Sequence, residues 1–85
     1  MVTFDETAKR RIRFLTRRGL LELDIVLGRF MQAEFNRLSD EELSVFVEIL
    51  DLPDPEFLAL VNEKEVCNNP AFLPLLDKIR QAKAV

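Results

Sequence analysis

The residues with the most chemistry to offer stand together in "TRRGLLELD", residues 16 to 24. Arg17 and Arg18 carry guanidinium donors, Glu22 and Asp24 carry carboxylate acceptors, and Gly19 separates the two pairs. Donors and acceptors of this kind make charge-assisted hydrogen bonds to a partner's carboxylates and backbone groups. A glycine among them lets a second backbone approach closely. The chemistry on offer is therefore recognition. A plainer account is a glycine stop between two helices, with a surface Arg–Glu pair worth roughly 0–1 kcal/mol. Yet Glu22 and Asp24 set charge beside Leu20, Leu21 and Leu23, where a segment serving only the core gains little from acids.

The rest of the chain supplies little for catalysis. It has no histidine, which removes the usual general base and the commonest metal ligand, and one cysteine, Cys67. No metal site, catalytic residue or cofactor-binding residue is assigned, and no Gly-rich phosphate loop or Ser–His or Cys–His pair occurs. Most acids stand at helix starts or on polar faces, as a solvated surface requires. A lone thiol fits a reducing compartment. The N-terminal "MVTFDETAKRR" lacks the apolar core of a secretory leader, and no apolar run approaches a membrane span, so a cytoplasmic location is expected.

Charge is unevenly placed. Lys9, Arg10, Arg11, Arg13, Arg17 and Arg18 fall in ten residues, whereas Asp40 to Glu65 holds nine acids against Lys64 alone. A basic first helix raises a second possibility, a nucleic-acid-binding regulator, whose binding would weaken steeply with salt. The net charge of −3 and the lack of a nucleic-acid motif weigh against it. A third is an antitoxin-type partner, separable only by which protein co-purifies.

The elements that must hold the Arg–Gly–Glu segment read as helices throughout: 85 residues with only two glycines and no extended alternating pattern. The expected fold is all-α, a single domain forming a compact bundle of five short helices, roughly 5–17, 20–37, 40–51, 54–64 and 70–82. Thr3 or Asp5 caps the first helix, in which Ala8, Ile12 and Leu15 have helical spacing with Phe14 alongside. Gly19 stops it. Leu20, Leu23, Leu27, Phe30 and Met31 stripe the second, where Gly28 is expected to admit a neighbouring helix. "LSDEEL" predicts a capping box from Ser39 to Glu42, followed by the buried set Leu43, Phe46, Val47 and Leu50. Asp54 is read as the cap of the fourth helix, with Pro55 in its first turn, and Asn69-Pro70 repeats that signature. Pro74 is expected to shift the start of the fifth helix by a turn. A monomer is expected, since no long heptad seam is visible.

With these residues in view, "RRGLLELDIVLGRF" resembles the R-G-x-x-E family of small helical assembly factors for succinate dehydrogenase. "LSDEEL" and "DLPDPEF" agree, and the resemblance extends from about Lys9 to Arg80. It implies a chaperone-like factor and not an enzyme. Such a factor binds the flavoprotein subunit of succinate dehydrogenase, and in bacteria fumarate reductase, and promotes covalent attachment of FAD to a histidine of that subunit. It implies no stably bound cofactor, the FAD being the partner's. Carried onto this chain, the signature is Arg18, Gly19 and Glu22, with Arg17 and Asp24 as neighbours, all expected to bind the partner. The family's usual tryptophan in the fourth helix is replaced here by Leu60.

Overall fold

The computed structural model describes residues 4–83, so Thr3, one of the two expected caps, lies outside the described residues. Helices α1 (Glu6–Leu15), α2 (Leu21–Glu34), α3 (Asp40–Leu50), α4 (Asp54–Val61) and α5 (Leu73–Lys83) carry the fold, with 3-10 turns at Phe35–Arg37 and Pro70–Phe72. The described residues contain no strand. None of their helices is long and apolar enough to cross a membrane.

Local chemistry sets most of these boundaries. Asp5 caps α1 by accepting from the Ala8 N–H at 2.8 Å. Ser39 and Glu42 form the reciprocal capping box at the start of α3, with contacts of 3.2 and 3.0 Å. Two orphan N–H groups are thereby satisfied. Asn69 accepts from the Ala71 N–H, and Pro70 opens a 3-10 turn ahead of α5. Thus Pro74 falls in the first turn of α5, where its missing N–H does no harm. Three ends differ from expectation: α4, expected to reach residue 64, stops at Val61, with Glu63 turned left-handed at φ 58°. The α1 helix stops at Leu15, since Thr16 turns its hydroxyl onto the Arg13 carbonyl at 2.7 Å. The last turn expected in α2 tightens into the Phe35–Arg37 3-10 turn.

The core joins every helix. Leu23, Val26, Leu27 and Phe30 of α2 are buried with Leu43, Phe46, Ile49 and Leu50 of α3, Phe57, Leu60 and Val61 of α4, and Leu75, Leu76 and Ile79 of α5. The α2 helix packs chiefly against α5. Phe30 and Phe46 meet in a tilted pair with ring centroids 5.2 Å apart, in the range where edge interactions add to burial. Each such buried side chain contributes roughly 1.5–3 kcal/mol. Helix α1 gives only Ile12 to this core, for Phe14 and Leu15 face outward.

Candidate functional site

The early end of α1 places Arg17, Arg18 and Gly19 in an irregular turn between α1 and α2. Gly19 has φ +77°. An L side chain there would cost roughly 1–2 kcal/mol, so the conformation favours glycine. Leu20 occupies the N-cap position of α2 and has no side chain able to accept an N–H. Asp24, one turn further on, bends back instead, and its Oδ1 accepts from the Arg18 backbone N–H at 2.8 Å.

The Arg18 side chain runs inward, 13 % exposed. Its Nη1 and Nη2 donate to the carbonyls of Leu50 and Leu52, each at 2.6 Å, where α3 ends. Its Nε donates to Oδ1 of Asp54, the first residue of α4, at 2.7 Å. A longer contact of 3.4 Å reaches the Leu15 carbonyl, and the guanidinium stands 5.8 Å from the Phe57 ring centre. A planar fork suits this work: it satisfies carbonyls at a helix C-terminus while answering a carboxylate.

The other signature residues face outward. Gly19 is exposed, and a Cβ built on it meets nothing within 4 Å. Arg17 is exposed and has no side-chain partner among the described residues. It borders two shallow depressions, one shared with Arg13, Gly19 and Asp24, the other with Phe14, Arg18 and Asp54. Glu22 is exposed and accepts from the Asn62 amide at 3.3 Å. Apolar side chains flank the turn: Phe14 is 74 % exposed, Leu21 75 % and Ile25 47 %. Exposed apolar groups rimmed by charge mark interaction surfaces.

Three expectations need correction. Arg18 does not pair with Glu22; its ion pair is with Asp54. Asp54 accordingly gives its carboxylate to Arg18, and Pro53 stands at the N-cap of α4 without a side-chain bond. Gly28 admits no neighbouring helix, since a Cβ on it also meets nothing within 4 Å. Leu60, which stands at the family's usual tryptophan position, is a buried core residue. The apolar flank is not legible in the sequence, because Phe14, beside the Ile12 and Leu15 spacing, reads equally well as core. The Arg18–Asp54 pair spans 36 residues, beyond the reach of any periodic pattern.

Charge elsewhere is used structurally. Lys78 of α5 pairs with Glu42 at 3.0 Å. The Ser39 backbone N–H first, and then the Lys78 ammonium, hold the Glu42 carboxyl below its ordinary range. Cys67 donates to the Asn69 carbonyl at 3.2 Å. Among the described residues no group of three or more Cys, Asp or Glu could hold a metal.

Fold and site together define a small all-helical binding protein that presents a charged, glycine-centred turn. The sequence matches the family described as flavinator of succinate dehydrogenase over residues 10–83, and this chain belongs to that family. It is 36% identical over 70 residues to the FAD assembly factor SdhE of Shewanella oneidensis, covering 82% of this chain and 85% of that one. The FAD assembly factor SdhE of Vibrio cholerae is 38% identical over 71 residues, 84% of this chain and 83% of its own. That of Coxiella burnetii is 36% identical over 74 residues, 87% of this chain and 90% of its own.

Proposed function

We propose that this chain is a cytoplasmic assembly factor that binds the flavoprotein subunit of succinate dehydrogenase, and that of fumarate reductase, and promotes covalent attachment of FAD to it. The observation that carries this reading is the exposed, unobstructed Gly19 flanked by Arg17, Glu22 and the apolar side chains of Phe14 and Leu21. In this reading Arg17 meets an acceptor on the flavoprotein, Glu22 meets a donor, and the partner's backbone passes over Gly19. The factor makes no bond itself. It binds the conformation in which the flavoprotein's own groups and FAD are aligned, and it can favour that conformation only by as much as its affinity for the two conformations differs.

Expressing the flavoprotein subunit with and without this chain tests the reading, by flavin fluorescence that stays with the protein on a denaturing gel. Covalent flavin should rise with the chain present. Gly19→Arg should abolish the rise while the domain stays folded, because the added side chain enters open space and costs only the roughly 1–2 kcal/mol of the left-handed backbone. Equal fluorescence with and without the unaltered chain rejects the reading.

A further inference from the structure

Resting on that reading, we infer that Asp54, 36 residues away along the chain from Arg18, is a positioning residue for partner binding, and that Arg18 acts through it from inside the molecule and not as a contact on the partner. Three observations carry this. Four hydrogen bonds already occupy the Arg18 guanidinium, to Leu15, Leu50, Leu52 and Asp54. The same residue is held at its other end, its backbone N–H bonded to Asp24 at 2.8 Å. The next residue is the exposed Gly19 at φ +77°. Two carboxylates from different helices therefore clamp the residue before the left-handed one, and the direction in which the backbone leaves that clamp sets the position of Gly19 and Glu22.

Glycine is the residue least able to hold its own conformation. A turn meant to be met by another protein gains from being fixed beforehand, because ordering it on binding would subtract from affinity. The α3–α4 junction supplies a rigid anchor for this purpose: two carbonyls at a helix end and a carboxylate at the next helix start. Asp54→Asn keeps an acceptor of the same size but removes the charge that holds Nε. Arg18→Lys keeps the charge but cannot reach three acceptors at once.

Binding of the unaltered chain, Asp54→Asn, Arg18→Lys and the double variant to the purified FAD-loaded flavoprotein subunit tests the inference. Measurements belong at a temperature where circular dichroism shows every variant folded. Arg80→Ala serves as a control, destabilised at a site far from the turn in sequence. Each single change should weaken binding about tenfold, and the double should be no weaker than the worse single, the non-additivity expected of groups that act as one. The Gly19 amide resonance should shift in both singles and stay in place in Arg80→Ala, which should bind as the unaltered chain does. Unchanged affinity in Asp54→Asn overturns the inference, as do losses that multiply in the double variant, which is the signature of Arg18 touching the partner directly. If Asp54→Asn melts below the assay temperature, Arg18→Lys decides: full affinity overturns the inference, and a loss accompanied by the Gly19 shift supports it. An unaltered chain that fails to bind the flavoprotein rejects the underlying reading, an outcome distinct from the others.

Discussion

Helices α3 and α4 each receive an arginine from another element at their C-terminal end, and they use it differently. At the end of α3, Arg18 reaches from the α1–α2 turn to the carbonyls of Leu50 and Leu52 and the carboxylate of Asp54. At the end of α4, Arg80 reaches from α5 to the carbonyl of Leu60 through Nε at 3.1 Å and Nη2 at 2.6 Å, with Asp77 and Glu63 at 3.7 and 3.9 Å. Both guanidiniums answer carbonyls at the negative end of a helix dipole. The Leu60 carbonyl, however, already accepts the Glu63 N–H at 3.2 Å. Among the described residues no backbone N–H outside the helices is bonded to Leu50 or Leu52. The Asp51 and Leu52 N–H groups close the Val47, Glu48 and Ile49 carbonyls of α3, so Arg18 serves the two carbonyls left over, whereas Arg80 adds to one that a backbone N–H already serves. Only Arg18 is followed by an exposed glycine. A buried arginine at a helix end is thus ordinary structure, and what sets Arg18 apart is the exposed turn attached to it.

The sharpest test of this contrast is removal of each arginine. Arg18→Ala strips two carbonyls and a carboxylate of their donor and should cost roughly 2–3 kcal/mol, a figure kept moderate because water can reach Asp54. Arg80→Ala leaves the Leu60 carbonyl bonded and should cost roughly 1 kcal/mol. Urea denaturation midpoints of the two variants decide the matter. Equal losses would remove the distinction between the two helix ends.

The same contrast shows what the sequence could disclose. The capping box is legible in "LSDEEL" because its partners lie within one helical turn. The buried stripe of α2 is legible because burial follows the helical repeat. The orientation of Arg18 is not, since its acceptors are two carbonyls and a carboxylate on other helices, and carbonyls leave no trace in residue types. Phe14 shows the converse limit. An apolar residue on a helix reads as core, and only the packed structure shows that this one is 74 % exposed. Gly28 within the apolar stripe of α2 likewise reads as a packing position, and the space beside it is open.

A smaller effect, of opposite sign, is expected at the self-closing helix end. The α4 helix finishes in a Schellman arrangement, with the Lys64 N–H on the Ala59 carbonyl at 2.8 Å and Glu63 in the left-handed region at φ 58°. Glycine is the residue suited to that position. Glu63→Gly should therefore stabilise the domain by roughly 1 kcal/mol. The 3.9 Å contact with Arg80 that it loses joins an exposed carboxylate and contributes little. A raised urea midpoint with unchanged flavoprotein binding would show that this end of the molecule is structural only. A fall in binding would instead extend the partner surface to α4, next to Asn62, which already touches Glu22.

The smallest effect concerns the other end of α3. There a carboxylate, in place of a guanidinium, completes the helix: Glu42 accepts the Ser39 N–H and pairs with Lys78. Those contacts lower its folded pKa. The stability they contribute is fully present above the ordinary glutamate pKa and is lost as the pH falls through the lowered folded value, because the unfolded chain takes up the proton first. About a third of the side chain is exposed, so the loss should be modest. Glu42→Gln keeps an acceptor for the Ser39 N–H but cannot titrate. Comparing the two chains' denaturation midpoints across the acid range should show the gap between them closing as the pH falls. A gap that stays constant would mean that the charge on Glu42 contributes nothing. Closing the start of α3 would then rest on its hydrogen-bond geometry alone, unlike the end of the same helix, where the charge of Arg18 faces that of Asp54.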